Sequence, residues 1–528
     1  MTEKRIIIIG AGLAGLSAGC YLQMNGYDTQ IFESHNKPGG LCTSWTRGDY
    51  TIDGCMHGLL GSSPSHPLYH LWNEVIDMDQ LQFHDFEIKA AIHGTPNQVF
   101  YEYSNLDALQ KYMEDLSPED KPVIEEFIGA VRTFEKYKVF DLMIRKPREF
   151  YNVWDYLKML KLLPALRFMK KWFKISAHDF ATRFQSPFLR EAVSNFASPI
   201  LFEIFVLAEM DQKRSGIHIG GSLAFSKLFE ARYIELGGKI CYNSRVSKIN
   251  TASNEKIKHD KAIGITLENG NSYDADIIIS AADGRTTIFE MLNGKYIDKD
   301  VRDLYETMEV NPSRILVIYG VNQSLQNLPS THLLVLNNPL TIADGTTYNR
   351  LEVRIFNFDP ILVPSGKAII EVTFLTKNYD YWAKLRSRDK KLYNQTKQKL
   401  AENVIDILDN YFRGIKDKVE ITDVVTPCTF NRYTHNWKGS TQGWDNANIF
   451  SNKLIKKELP HLANFYLIGQ WVQPGGGVPN AFLSGRDLAQ IICKKDHQEF
   501  KSYQTSSSDV DQAESKNEFE LPLVNTYV

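Results

Sequence analysis

The chain opens on a short run of apolar residues followed by a glycine-rich turn. Residues 6–9 are four consecutive isoleucines, a pattern typical of a strand buried on both faces of a parallel sheet. Residues 13–25 then predict a helix that ends at Gly26, and residues 29–32 predict a second strand. This order of strand, helix and strand predicts a βαβ unit, the start of an α/β fold.

Similar patterns recur in two later parts of the chain. A helix is predicted to about residue 236 after Gly220 and Gly221, and buried or half-buried strands are predicted near residues 239–240, 245–249 and 274–283. Residues 465–468 predict another buried strand, followed by a helix to about residue 492. We therefore predict one discontinuous domain made of residues 1–85, 216–290 and 436–500.

Two long segments separate the pieces of this domain. Residues 86–215 predict a helical insertion, with helix-start patterns at Ser117 and Ser176. Residues 291–435 predict an α+β domain, because strands at 314–319, 351–356 and 368–376 precede a long helix at about 389–411. Residues 501–528 are rich in Ser, Gln and acids, which predicts a disordered tail.

Composition and charge limit the classes of function. A formal net charge of −3 gives no reason to expect nucleic-acid binding. The six cysteines include no CxxC pair, so no metal site or dithiol motif is indicated, and their use fits a reducing compartment. No apolar stretch approaches the roughly 18 residues of a spanning helix, and no signal peptide is recognised. We expect a cytoplasmic protein that is soluble or lies on a membrane surface.

The turn after the first strand has the chemistry of a dinucleotide site. Gly10 permits a tight turn, Gly12 lets backbone N–H groups approach a pyrophosphate, and Gly15 lets the helix pack closely on the strand. The positive end of the helix dipole faces the phosphate. Glu33, at the end of the second strand, can accept hydrogen bonds from a ribose diol and disfavours the 2′-phosphate of NADP.

A second glycine-rich segment lies near the C-terminal end. Gly469 directly follows the predicted strand, and residues 475–477 are three glycines that permit close approach of the backbone to a ligand. Pro479 suits the first turn of the helix that follows. The positive N-terminus of that helix would then lie at the same glycine loop.

Together these segments resemble the FAD-dependent carotenoid (phytoene) desaturases and retinol saturases, within the flavin amine oxidase superfamily. The resemblance rests on residues 10–15, on Gly39-Gly40 shortly after Glu33, on residues 50–58 and on residues 465–486. It implies FAD as the cofactor and an α/β fold. That fold combines a Rossmann-like, glutathione-reductase-like FAD-binding domain with an α+β substrate domain and a helical insertion.

The resemblance also implies which residues contact FAD. The expected cofactor-binding residues are Gly10, Ala11, Gly12, Leu13, Ala14, Gly15, Glu33, Gly39, Gly40, Leu41, His57, Val246, Gly469, Gly477 and Val478. Val246 matches a residue that packs on the adenine, and a simple core role fits it equally well. Many relatives carry an acid after the glycine equivalent to Gly469. This chain has Gln470 there, which can still form hydrogen bonds.

For the reaction, the resemblance implies hydride transfer between a substrate carbon and flavin N5. A carbon–carbon double bond would be formed or reduced in a lipophilic isoprenoid, carotenoid or retinoid-like substrate. Two alternatives share the fold: a flavin amine oxidase, and the GDI and Rab-escort proteins, which bind prenylated proteins and are not enzymes. No catalytic residue is identified. Tyr433 and His435 are candidates because they precede the last cofactor segment, although a structural role is more common for a single His.

Residues 140–174 carry nine Lys or Arg against three acids, with aromatic residues between them. Such a segment is typical of an interfacial membrane helix, so we predict binding to an anionic membrane surface. Pro164 should divide it into two helices. A core-facing helical pair with a solvated basic face is the alternative. We also predict an apolar substrate tunnel from the flavin toward this segment, walled by Phe196, Phe202, Phe205, Leu207, Tyr379, Tyr381 and Trp382.

Overall fold

A computed structural model describes residues 4–94, 98–140, 146–254, 259–445, 455–473 and 475–502. Three parts of the sequence predictions lie outside the described residues. They are Pro474 of the C-terminal motif, residues 141–145 of the basic segment, and residues 503–528 of the tail.

A parallel sheet of five strands is built from three distant parts of the chain. Its strands are β1 (Arg5–Ile9), β2 (Asp28–Phe32), β9 (Lys239–Cys241), β13 (Ile277–Ser280) and β20 (Phe465–Leu467). They lie in the order β20-β13-β1-β2-β9, and all neighbours are parallel. The α/β class predicted from the sequence is confirmed, and the strands meet as the apolar runs predict.

Both faces of this sheet are covered, which explains the unbroken apolar run of β1. One face is covered by three helices: α1 (Leu13–Met24), α10 (Gly221–Glu235) and α15 (Gly477–Lys495). The other is covered by antiparallel strands: β10 (Val246–Asn254), β11 (His259–Leu267) and β12 (Ser272–Asp274), with β19 (Leu462–Ala463) beside β11. Ile6 and Ile8 face the helices, while Ile7 and Ile9 face the strands.

A second sheet has seven strands. In spatial order they are β18 (Val419–Val425), β14 (Ser313–Val321), β17 (Ala368–Thr376), β16 (Thr347–Phe356), β15 (Thr331–Thr341), β6 (Ile88–His93) and β7 (Val99–Tyr103). Only β15 and β6 are parallel neighbours among these pairs. One face packs against α12 (Tyr379–Arg388) and α13 (Lys390–Tyr411), and the other packs in part against β4 (Tyr50–Asp53). The strands and the long helix predicted after residue 313 are confirmed.

Strands β6 and β7 differ from the sequence prediction, which treats residues 86–215 as a helical insertion. In β7, the buried Phe100 and Glu102 alternate with the more exposed Val99, Tyr101 and Tyr103. This period of two is a strand signal, but it is short. The decisive contact is the pairing of β6 with β15, which comes from a distant part of the chain that local patterns do not identify.

Helices occupy most of the remaining residues of this region: α3 (Leu106–Leu116), α4 (Lys121–Lys136), α5 (Val153–Met159), α6 (Leu163–Phe173), α7 (Ala177–Ala181), α8 (Pro187–Ser194) and α9 (Ile200–Asp211). Ser176 caps α7 as predicted, since its Oγ accepts from the N–H of Asp179 at 3.0 Å. Pro164 lies in the first turn of α6, which a short 3₁₀ turn separates from α5, so the predicted break is confirmed. Ser117 instead begins a 3₁₀ turn, and α4 starts after it.

Shorter elements connect these units: β3 (Ser44–Arg47), β5 (Phe83–His84), β8 (Ile217–His218), α2 (Pro67–Asn73), α11 (Lys299–Thr307) and α14 (Pro427–Thr434). Across the described ranges, no helix has the length and apolar character needed to cross a bilayer.

Candidate active site

A cavity lies at the carboxyl ends of the parallel strands, where open α/β sheets bind their ligands. Ile9, Phe32 and Ile468 line it from the ends of three strands. Most of the predicted cofactor-binding residues also line it, namely Gly10, Gly12, Leu13, Ala14, Glu33, Gly39, Gly40, Leu41, Val246, Gly469, Gly477 and Val478. The fold therefore gathers glycine-rich segments from both ends of the chain around one space.

Three predicted residues are not among the lining residues. Ala11 is fully buried, and its N–H donates to Oε2 of Glu33 at 2.7 Å. A Cβ on Gly15 would lie 2.1 Å from the carbonyl oxygen of Gly10, so this glycine allows the close packing of α1 on the turn. His57 lies against the second sheet, with its Nε2 3.0 Å from Nη1 of Arg314. A direct contact of His57 with the cofactor stays a prediction.

Two helix N-termini converge on the cavity. Helix α1 begins after Gly12 and α15 begins after Gly476, and neither glycine has a side chain that could satisfy the free N–H groups of the first turn. The helices pack closely, because Oγ of Ser17 donates to the carbonyl of Phe482 at 2.8 Å and Gly485 has no room for a Cβ. Free N–H groups and the positive ends of two helix dipoles favour an anionic ligand here.

A glycine at position 12 keeps space free in the cavity, and its backbone conformation does not require a glycine. Its φ of −69° and ψ of 170° are open to any residue. A Cβ built on Gly12 would meet no protein atom within 4 Å. Since Gly12 lines the cavity, that free space belongs to the cavity. The N-terminus of α1 thus has room for a phosphate group against its backbone, as the FAD assignment requires.

Glu33 is held rigidly in the cavity wall. Its Oε2 accepts from the N–H of Ala11 at 2.7 Å, and its Oε1 accepts from the N–H of His35 at 2.8 Å. Oε1 also accepts from the hydroxyl of Ser34 at 3.2 Å, whereas Oε2 keeps a free lone pair that can accept from a ribose diol. Glu33 as a whole is 8% exposed and lines the cavity.

The two catalytic candidates lie at the Glu33 end of the cavity. The ring of Tyr433 contacts the ring of His35 edge-on, with 5.4 Å between centroids. His435 caps the C-terminal end of α14 with a φ of 55°. Burial is the main cause that lowers the pKa of His435, and the nearby Arg245 lowers that pKa further. Both line the cavity, but beside Glu33 and Arg245. This position favours contact with a nucleotide, and their catalytic role stays a prediction.

Asp283 is a cavity residue that the sequence analysis does not select. It accepts from the N–H of Thr286 at 2.7 Å and from the N–H of Trp437 at 2.8 Å, and burial raises its pKa to about 6. The available signal is its place three residues after the end of strand β13, at the edge where parallel strands form a ligand cleft. Other lining residues that are not among the predicted cofactor-binding residues include Cys42, Cys55, Arg245, Thr441, Gln470 and Trp471.

The side chains predicted to wall a substrate tunnel are absent from this lining. Phe196 and Leu207 are buried in the core of the helical region, and Trp382 of α12 is buried in the core of the second sheet. Tyr381 is exposed on the surface. The prediction of a tunnel wall is therefore wrong for Phe196, Leu207 and Trp382, because aromatic and apolar side chains fill hydrophobic cores in the same way.

In the described part of the chain, no three His, Cys, Asp or Glu side chains group as metal ligands would.

Comparison with known proteins gives consistent relatives. The profile of the flavin containing amine oxidoreductases matches residues 13–493. The chain is 24% identical over 521 residues to a 4,4'-diapophytoene desaturase from Methylomonas sp, covering 94% of this chain and 97% of that protein. It is 23% identical over 513 residues to a prolycopene isomerase from Daucus carota, covering 92% of this chain and 79% of that protein. A solved oxidoreductase from Methanosarcina mazei matches with a TM-score of 0.57 at 16% identity, covering 92% of this chain and 100% of that chain.

The matched region begins with α1 and ends within α15, so it includes both helices whose N-termini meet at the cavity. The cavity suits the FAD that this family carries, since Gly12 leaves space at a helix N-terminus and Glu33 presents a fixed carboxylate. The chain belongs to the flavin-containing amine oxidoreductase family, in which it is a carotenoid desaturase-like, FAD-dependent oxidoreductase.

Proposed function

We propose that this oxidoreductase forms or reduces a carbon–carbon double bond in a lipophilic isoprenoid, of the carotenoid or retinoid-like class. The observation that carries the proposal is the similarity over 94% of the chain to a protein named as a diapophytoene desaturase. A second relative of similar extent is named as a prolycopene isomerase. The two names differ in the reaction, and both refer to carotenoids.

We assign the parts of the cofactor to the cavity as follows. Gly12 and the N-terminus of α1 bind the pyrophosphate, and Glu33 binds the adenosine ribose. Val246, which is buried, packs beside the adenine. Gly477 and Val478 lie at the flavin, where the N-terminus of α15 favours negative charge on the ring. Bound FAD supplies the hydride chemistry, so the chain needs no nucleophile of its own.

Helices α5 and α6 carry a row of exposed apolar side chains. Val153 and Trp154 are 72% and 71% exposed, and the row continues at intervals of about three residues through Leu157, Leu160, Leu163 and Leu166. Single exposed apolar residues are common, but a contiguous patch marks an interaction surface. Lys161, Arg167 and Lys170 are exposed beside the row. We propose that this row, with its basic neighbours, binds an anionic membrane from which the lipophilic substrate enters.

The purified protein is expected to pellet with vesicles containing anionic lipid at low salt. High salt should release part of it, since each basic residue near the surface contributes about 1 kcal/mol and the screening length falls to about 3 Å at 1 M. Replacing Val153, Trp154 and Leu157 by Ser should abolish pelleting. The matched control replaces Ile234, Ile361 and Leu375, which are exposed elsewhere, and should still pellet. A wild-type protein that stays in the supernatant at low salt would contradict membrane binding.

Turnover experiments test the substrate class. FAD-loaded protein is incubated in vesicles with phytoene and a quinone acceptor, and separately with all-trans-retinol and a reductant. We expect one polyene to gain or lose two hydrogen atoms per turnover, as measured by mass spectrometry. Putrescine serves as the amine control. Oxidation of putrescine with release of peroxide, while both polyenes stay unchanged, would show that the enzyme is an amine oxidase.

A further inference from the structure

A polar cluster lies on the face of the second sheet that packs against β4. It consists of Arg314 on β14, Arg354 on β16 and Glu371 on β17. Arg314 lies on the same face of β14 as Ile318, which is four residues further along the strand. Ile318 packs in the core that includes β4. Glu371 is paired directly with Ile318 on one side and with Arg354 on the other. The cluster therefore faces the FAD-binding domain.

His57 connects the polar cluster to the segment of chain that lines the cofactor cavity. Nη1 of Arg314 is 3.0 Å from Nε2 of His57, and His57 lies two residues beyond Cys55, which lines the cavity. An arginine can only donate, so the His57 ring accepts and is neutral. Burial and the two arginines lower the pKa of His57, consistent with that neutral form. Arg314, Arg354 and His57 are each partly exposed, whereas Glu371 is buried.

Two atoms of the polar cluster are buried without a hydrogen-bond partner among the described residues: Nε of Arg354 and Oε2 of Glu371. The nearby carboxylate of Glu352 comes only within 4.0 Å of that Nε, beyond hydrogen-bond distance. A buried polar atom left unpaired costs free energy, so most native ones are paired. An unpaired donor and an unpaired acceptor on adjacent, directly paired residues fit a ligand group that bonds to both.

The chemistry of these two atoms narrows the ligand group. Arg354 can only donate, whereas the carboxyl of Glu371 accepts in its ionised form. Burial raises the pKa of Glu371 to about 7, against the opposing effect of Arg354 and Arg314. A hydroxyl group can accept a hydrogen bond from Nε of Arg354 and donate one to Oε2 of Glu371. A hydrocarbon would leave both atoms unpaired, and an ionised carboxylate could accept from Arg354 but has no proton to donate to Glu371.

We infer that the polar cluster binds a hydroxyl group at one end of the substrate. The substrate is then a lipophilic alcohol, and Arg354 and Glu371 are positioning residues that set which carbon reaches the flavin. This inference rests on the proposed function, since it requires a lipophilic substrate between the cofactor cavity and the second sheet.

Paired probes test the hydroxyl site on the FAD-loaded protein. Binding of geranylgeraniol and of the hydrocarbon with the same skeleton is followed by the change in flavin absorbance. We expect the alcohol to bind about ten- to a hundredfold more tightly, equivalent to about 1.4–2.8 kcal/mol. Equal binding of the two probes would overturn the hydroxyl site and leave the proposed function standing. If neither probe binds, both the site and the proposed function fail.

Variants test whether the polar cluster causes the preference for the alcohol over the hydrocarbon. Arg354→Met and Glu371→Leu each remove one of the unpaired atoms, and both should abolish the preference for the alcohol while the hydrocarbon binds as well as before. Glu352→Gln is the control, because Glu352 lies on the same strand and face but is 47% exposed. A preference that survives both cluster variants overturns the inference, as does tighter binding of geranylgeranoic acid than of the alcohol. If a variant fails to fold, the comparison of probes on the wild-type protein still decides.

Discussion

Gly12→Val is expected to abolish FAD binding while the fold survives. Valine can adopt the extended backbone of Gly12, and its Cβ would meet no protein atom within 4 Å. Its methyl groups would project into the cavity at the N-terminus of α1, where we assign the pyrophosphate. The flavin content of the purified variant should fall below about a tenth of the wild-type value, whereas its circular dichroism should match that of wild-type apoprotein.

Gly129→Val is the matched control for Gly12→Val. Gly129 also has free space around a Cβ, and it lies on the exposed side of α4, remote from the residues that line the cavity. This variant should keep its full FAD content, since Val is no worse than Gly in a helix. If Gly12→Val retains as much FAD as Gly129→Val, the pyrophosphate does not bind at α1.

Arg486→Met is expected to lower the free energy of unfolding by about 3–5 kcal/mol. Arg486 of α15 forms a bidentate ion pair with Glu74, with Nε–Oε2 and Nη2–Oε1 distances of 2.7 and 2.8 Å. The two side chains are only 10% and 7% exposed, and the hydroxyl of Tyr21 on α1 also donates to Glu74. Methionine would fill much of the volume but leave the Glu74 carboxylate buried without a cation. Urea denaturation of the apoprotein measures the loss.

Two further variants show whether that loss comes from the unpaired charge. Adding Glu74→Leu to Arg486→Met removes the stranded carboxylate and should recover much of the stability. Lys416→Met breaks an exposed ion pair with Asp406 and should leave the unfolding midpoint nearly unchanged. If Arg486→Met is as stable as the wild type, the buried pair does not support the contact of α15 with its neighbours.

Much of the FAD-binding domain could be predicted because its signals are local. Strand β1 is an unbroken apolar run since both of its faces are buried, and Gly12 and Gly15 follow from the approach of a ligand and of a helix. Contacts between distant segments carry no such signal. Asp283 reaches the cavity from a strand end without a motif, and His57 meets Arg314, which lies 257 residues away in the chain.

Aromatic and apolar residues were the least informative about the substrate site. Phe196 and Trp382 are of the aromatic type that we expect in a tunnel wall. They fill hydrophobic cores instead, and the sequence does not specify how the segments that form these cores pack. The segment with Trp154 shows the opposite case. Its basic character predicts a membrane surface, yet only the structure shows that six apolar side chains on α5, α6 and the turn between them are exposed.

A single-turnover measurement without oxygen tests the proposed function most directly. Oxidised, FAD-loaded protein in vesicles is mixed with phytoene, and dithionite-reduced protein is mixed with all-trans-retinol. We expect one of the two mixtures to change the visible flavin absorbance and to yield an equimolar polyene altered by two hydrogen atoms. The proposed function would be contradicted if neither polyene changes the flavin spectrum while putrescine bleaches the visible absorbance of the oxidised flavin.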